Sequence, residues 1–167
     1  KSTFSGPVKS LAGFISAGVN NSVSLTADTT LTVDAHAGKI LLCNDADGKF
    51  TLPSIVTTTP SDPTDPNQTN NIGATFNFYI ETAATDLDIK TDGTDKFKGA
   101  ILIAVDDGAK KAFVPGASND VITMNGSTKG GIVGSIVSFT AIDTATYLVH
   151  SSLLIGSGTI VTPYADA

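Results

Sequence analysis

The sequence predicts an all-β domain, an antiparallel sandwich or a barrel-like fold of the jelly-roll or tulip-like kind, preceded by an extended N-terminal arm. Thr, Ser, Val, Ile, Gly and Asp dominate the 167 residues, whereas Glu81 is the only Glu and Gln68 the only Gln; this composition favours strands and turns over helices. Short runs of alternating apolar and polar residues recur at intervals of about 8–12 residues, the spacing of a sandwich or barrel. No segment keeps a helical period over three turns.

Residues 1–21 form the predicted arm. Ser5-Gly6-Pro7 and Gly13 interrupt any regular pattern, and large apolar side chains are spaced along the segment. An arm of this kind can lie along a neighbouring molecule and add a strand to its sheet. A disordered tail is the alternative, which the apolar side chains disfavour. The candidate contact residues of the arm are Phe4, Val8, Leu11 and Phe14.

Residues 22–167 are long enough for one domain with a real core. Two short strands are expected first, one holding Val23 and Leu25 and the other Leu31 and Val33. The segment from Gly38 to Ile55 then predicts a β-hairpin, because an Asp-Gly turn between two β-rich runs is a strong hairpin signal. Four of its side chains are expected in the core: Leu41, Cys43, Phe50 and Leu52.

Residues 56–71 differ in kind from the rest of the chain. Pro60, Pro63 and Pro66 recur at regular spacing among Thr, Asp and Asn, and nothing there can form a sheet ladder or a helix interior. This stretch is therefore predicted to be an exposed loop. It is either a tolerated insertion between strands or a contact loop on an outer surface.

The β pattern returns after the loop. Phe76, Phe78 and Ile80 are expected to share one face of a strand, and Ala100 to Val105 reads as a buried strand. The last strong pair is Gly134 to Ile142 with Thr146 to Leu154, followed by a short strand at Thr159 to Thr162. The whole chain predicts roughly ten to twelve short strands.

Charge and cysteine content exclude several classes of function. The net charge is −6 and all ten basic residues are Lys, which argues against a nucleic-acid partner because phosphate binding needs clustered basic side chains. No stretch is apolar for long enough to span a bilayer, so no membrane partner is expected. Cys43 is the only cysteine, which rules out an intrachain disulfide.

No residue pattern marks an enzyme, a cofactor site or a metal site. His36 and His150 are not spaced as a zinc pair. An EF-hand alignment with Gly48 at the sixth position puts Cys43 first and Ser54 twelfth, and neither is a carboxylate. We therefore expect no catalytic, cofactor-binding or metal-binding residues; a weak calcium or magnesium site between subunits stays an open alternative.

Several stretches together carry a resemblance to a known group of proteins. They are Ser2 to Ser10 with Gly13-Phe14, Leu31-Thr32-Val33, Gly38-Lys39-Ile40, Asn44-Asp45, Phe50 to Pro53, Asp120 to Met124 and Gly130 to Phe139. With these turn-and-strand patterns the chain resembles small β-rich virion proteins of tailed bacteriophages, especially marine and cyanobacterial phages. The residues 60–66 depart from the pattern.

The resemblance implies a capsid decoration (cement) protein. Such a protein is a homotrimer on the outer capsid surface, its partners are the major capsid protein and its own copies, and its arm engages the capsid or a neighbouring subunit. Phe4, Val8, Leu11 and Phe14 would then form the capsid- or partner-binding arm of a non-enzymatic virion protein.

Two other functions stay open. One is a tail-fibre, head-fibre or other host-contact module. The second is a bacterial surface adhesin or carbohydrate-binding module, which the absence of Trp and the presence of only three Tyr disfavour, because sugars stack on aromatic rings.

Overall fold

A computed structural model of the protein describes residues 21–57, 70–106, 108 and 110–167. The arm residues Phe4, Val8, Leu11 and Phe14, as well as the three prolines at 60, 63 and 66, lie outside these described residues. The described part confirms an all-β fold. Its strands are β1 (Ser22–Leu25), β2 (Thr29–Thr30), β3 (Ile40–Cys43), β4 (Lys49–Thr51), β5 (Thr75–Ile80), β6 (Leu87–Lys90), β7 (Lys96–Gly99), β8 (Ile101–Val105), β9 (Lys110–Phe113), β10 (Val121–Met124), β11 (Ile136–Asp143), β12 (Thr146–Gly156) and β13 (Tyr164–Ala165).

The strands form two sheets, which pack face to face in a sandwich-like arrangement. The larger sheet has the order β1-β3-β5-β11-β12-β8-β9, with β7 also paired to β12, and the smaller has the order β13-β10-β6-β4-β2. Both sheets are mixed, whereas the sequence favoured antiparallel ones: six of the eleven strand pairings are parallel. Neither sheet closes into a barrel.

The first six strands alternate between the two sheets, and this arrangement corrects the predicted hairpin. β1, β3 and β5 are parallel neighbours in the larger sheet, while β2, β4 and β6 are parallel neighbours in the smaller one. The turn at 44–48 therefore carries the chain from one sheet to the other and joins β3 and β4 as an arch. Parallel neighbours need such a crossover because a tight turn can connect only antiparallel strands.

The predicted core residues of this segment are nevertheless right. Leu41, Cys43, Phe50 and Leu52 are all buried. An arch, like a hairpin, lets two strands bury their apolar faces against each other. Here β3 and β4 bury theirs from opposite sheets, and the ring of Phe50 stacks on Phe78 of β5 with centroids 6.3 Å apart.

Aromatic rings fill the middle of the core. Phe139 of β11 contacts Phe78 edge-on at 5.6 Å and Phe97 of β7 at 5.2 Å between centroids. The buried Tyr147 of β12 donates its hydroxyl to the carbonyl of Pro53, at 2.6 Å. This hydrogen bond joins the larger sheet to the segment that leads into the Pro-rich loop.

Two other expectations about local structure are wrong. Val33 does not continue a strand but begins the one-turn helix α1 (Val33–His36). Thr32 caps this helix by accepting a hydrogen bond from the backbone N–H of Ala35, an interaction that competes well with a short strand. The last strand does not lie at 159–162. It is β13 at Tyr164–Ala165, which pairs with β10.

Side chains of the domain clamp both ends of the Pro-rich loop. Asn71 accepts a hydrogen bond from the N–H of Val56 at 2.7 Å and donates one to the carbonyl of Ser54 at 2.8 Å. On the same side Asp92 accepts from the Ser54 hydroxyl at 2.6 Å, and Asp95 accepts from the N–H of Ile55 at 2.9 Å. The loop thus leaves from and returns to a fixed base. In the described part of the chain, no helix is long and apolar enough to cross a bilayer.

Candidate docking face

The outer face of the larger sheet carries an unusual row of apolar side chains. On each strand, buried residues alternate with outward ones: Leu41 and Cys43 are buried, so Leu42 points out, and Phe78 and Ile80 are buried, so Tyr79 points out. The outward residues of neighbouring strands lie side by side because the register aligns them.

Five outward apolar residues from five adjacent strands form one continuous row. The register pairs Leu42 with Tyr79, Tyr79 with Ile136, Ile136 with Leu153, and Leu153 with Leu102. Ile136, Leu153 and Leu102 expose 42%, 41% and 39% of their surface. We call this row the apolar stripe; its members are Leu42, Tyr79, Ile136, Leu153 and Leu102.

A β-bulge in β12 brings Leu153 into the stripe. Between the pairs Ile136–Leu153 and Ser138–His150, β12 has one residue more than β11. Ser151, in this interval, has φ of +46° and is the one non-glycine residue in the described ranges with a positive φ. The extra residue allows His150 and Leu153 to point outward together, although three positions along a regular strand would put them on opposite faces.

A band of uncharged polar side chains borders the stripe. Ser138 donates a hydrogen bond to Asn77 at 2.9 Å, and the hydroxyl of Thr140 lies 2.7 Å from that of Thr75 and 2.8 Å from Nε2 of His150. These side chains satisfy one another. The stripe and this polar band together contain no Asp, Glu, Lys or Arg.

The outer face of the smaller sheet has the opposite character. A shallow cavity of about 240 Å³ there is lined by Asp86, Asp88, Lys90 and Asp166 among others. Lys49 bridges Asp86 and Asp88, at 3.0 Å from each. Partial burial disfavours the Lys49 ammonium, yet the hydrogen bonds to the two carboxylates outweigh it and raise the pKa of Lys49. The two outer faces of the domain therefore differ: one carries the apolar stripe with its polar band, and the other is acidic and internally paired.

The residues considered for chemistry are spread over the fold and serve local structure. His36 lies on the helix α1 and its Nδ1 accepts a hydrogen bond from the N–H of Thr32 at 2.9 Å. Burial raises the pKa of the Cys43 thiol to about 12, so the group is a neutral thiol inside the core. Across residues 21–57, 70–106, 108 and 110–167, no three His, Cys, Asp or Glu side chains are grouped so that they could hold a metal ion.

The apolar stripe does not follow from the alternation of any one strand, but the sequence does carry a signal for it. Strands that expose one face to solvent should alternate apolar and polar residues. Instead β3 reads ILLC, β8 begins ILI, and β12 contains two adjacent leucines. In each of these runs one apolar side chain must point away from the core. The fold then places these surplus side chains in one row.

Comparisons with known proteins do not identify the chain. No protein-family model matches it, and neither a curated protein nor a solved structure matches it.

Proposed function

We propose that this protein is a virion structural protein that decorates and stabilises the outer surface of a tailed-phage capsid. It acts as a homotrimer, and its arm residues Phe4, Val8, Leu11 and Phe14 bind the major capsid protein or a neighbouring copy. The proposal requires no catalytic step, no cofactor and no resident metal. The resemblance of the arm and of the strand-and-turn segments to phage virion proteins is its starting point.

The observation that carries the proposal is the place where the arm joins the domain. Residue 21 leads directly into β1, and β1 is the edge strand of the larger sheet. A segment attached at the edge of the fold is free to extend beyond the perimeter of the domain. Twenty residues can span up to about 66 Å when extended, so the arm can reach a surface well outside its own domain.

A repeated lattice makes such an attachment effective. A short apolar segment gives a weak contact by itself, but three arms on one trimer bind together, and linked contacts strengthen each other through effective concentration. Threefold closure can also cover exposed strand edges such as β1 and β9. The acidic outer face of the smaller sheet would remain in solvent, where charge helps solubility.

Binding to undecorated capsids tests the proposal. In one variant of the full chain, Phe4, Val8, Leu11 and Phe14 are replaced by Ser; in a second, residues 1–15 are deleted. We expect both to lose at least tenfold in apparent affinity, because avidity multiplies the loss at each arm. Replacement of Pro60, Pro63 and Pro66 by Ser is the matched control and should bind normally. Undiminished binding of both arm variants would contradict the proposal.

A further inference from the structure

The apolar stripe is a continuous exposed apolar surface that could bind a segment of chain. Its members lie in one uninterrupted row, and three of them expose about two fifths of their surface. The exposed area of the row is on the order of 250–400 Å², which lies near the lower end of the range for the largest apolar patch on a typical monomer, a patch that is often functional. The stripe is therefore a candidate docking surface.

A second copy of the domain laid face to face on the stripe is a poor occupant. A stable protein–protein interface buries about 800 Å² on each partner, somewhat more than half of it apolar, which is more apolar area than the stripe offers by itself. A narrow row across the strands instead fits a single segment of chain that carries a few large apolar side chains.

We propose that the apolar stripe is the seat of this chain's own residues 1–20 in the free protein. This segment contains apolar side chains three or four residues apart, at Phe4, Val8, Leu11 and Phe14. Its only charged side chains are Lys1 and Lys9, so it can lie against the apolar stripe without stripping water from many charges.

The connection to β1 places the segment beside the stripe. Ser24 of β1 is the register partner of Leu42, so β1 adds a further position to the row of the stripe at its near end. The far end, at Leu102 on β8, lies five strands away, or about 24 Å at the usual strand spacing. Residues 1–20 are more than long enough to cover that distance.

Attachment within one molecule favours this occupant over the arm of another copy. A segment tethered by a short connection reaches its seat at an effective concentration in the millimolar range. The arm of another copy, present at micromolar concentration, cannot compete with the tethered arm for the stripe. The seat is thus a property of the isolated molecule, and it goes beyond the proposed attachment to a capsid.

Fluorescence of the apolar-surface dye ANS tests the seat in full-length variants. The first variant replaces Phe4, Val8, Leu11 and Phe14 by Ser; the second adds Ile136→Ser and Leu153→Ser. We expect weak dye fluorescence from the parent protein, a several-fold rise in the first variant as the stripe is uncovered, and a return to the parent level in the second. A control that adds Val161→Ser, an exposed position outside the sheets, to the first variant should stay bright.

Other results would overturn the seat. If the parent protein is as bright as the first variant, the arm does not cover the stripe. If the second variant stays bright, the dye binds elsewhere. Sedimentation at the same concentration shows whether the arm binds the stripe of its own molecule or that of a neighbouring copy. If the arm substitutions cause the protein to dissociate, the arm binds a neighbouring copy. Because no capsid is present, these results do not depend on the proposed binding to a capsid.

Discussion

Two buried carboxylates show how the same side chain takes opposite roles in this fold. Asp95 is 3% exposed, and burial, with the nearby charges of Asp92 and Asp143, raises its pKa above the ordinary value. Asp120 is buried as well, but Lys96 donates to its Oδ2 at 2.6 Å and the N–H of Ala167 to its Oδ1 at 2.9 Å. Burial opposes the Asp120 charge, yet these hydrogen bonds outweigh it and lower the pKa of Asp120.

The two residues therefore affect stability in opposite directions. The ionised form of Asp95 is disfavoured in the fold, so stability is lost as pH rises above the unfolded value of about 3.9. We expect Asp95→Asn, which keeps the acceptor for Ile55, to raise the free energy of unfolding at pH 7 by about 0.5–1 kcal/mol. Asp120→Asn should lower it by about 2 kcal/mol, because it weakens a charged hydrogen bond.

Urea unfolding between pH 3 and pH 7 checks this pair. The Asp95→Asn difference should shrink as pH falls toward about 4, because the raised pKa protonates Asp95 in the fold before that point. The Asp120→Asn difference should persist to about pH 4 and shrink below it, because the pKa of Asp120 is lowered. A stabilising Asp120→Asn, or a destabilising Asp95→Asn at pH 7, would show that burial and ion pairing have been assigned to the wrong residues.

At the scale of elements, the sequence predicts which residues are buried better than it predicts how strands pair. Leu41, Cys43, Phe50 and Leu52 follow from local alternation, and all four are buried. Their pairing does not follow, since the Asp47-Gly48 turn fits an arch between two sheets as well as a hairpin within one. Long-range register decides between the two, and β3 finds its partners at β1 and β5.

The bulge in β12 is the second feature that the sequence does not predict. Alternation through Val149, His150 and Ser151 predicts a regular strand, but Ser151 takes φ of +46° and shifts the phase of everything after it. A left-handed backbone costs an L-residue about 1–2 kcal/mol. Burial of apolar side chains offsets this cost, because the bulge lets both Val149 and Leu154 point into the core.

Substitution of Ser151 tests that account of the bulge. Ser151→Gly should raise the free energy of unfolding by about 0.5 kcal/mol, since the relieved strain exceeds the entropy cost of glycine. Ser151→Val should lower it by at least about 1 kcal/mol, because a β-branched residue fits a positive φ poorly. Thermal or urea unfolding of the two variants measures the difference. Equal stabilities would mean that the bulge relaxes or that the strand slips in register.

At the scale of the whole molecule, one face is acidic and internally paired, and the other carries the apolar stripe. The sequence predicts the all-β class, which is confirmed, but not the stripe. Ile136 and Leu153 are 17 positions apart in the chain, and only the register and the bulge make them neighbours. A site assembled across five strands cannot be predicted from local pattern, because each strand contributes a single unremarkable residue.

The proposed seat and the proposed capsid attachment would use the same apolar side chains of the arm, so the two contacts would exclude each other. The energy of the seat is then subtracted from that of capsid binding, as for any ligand that must displace an internal competitor. This coupling rests on the proposed function. With both contacts available, the free protein would expose less apolar surface, and the arm would be released where a capsid offers a stronger apolar site.

The copy number of the protein in purified virions tests the central claim most directly. Quantitative mass spectrometry should be referenced to the major capsid protein. Decoration of the shell predicts a ratio of the same order as that of the major capsid protein, amounting to hundreds of copies in each particle. A few copies to a few tens, the number expected of a tail or fibre component, or absence from virions would contradict it.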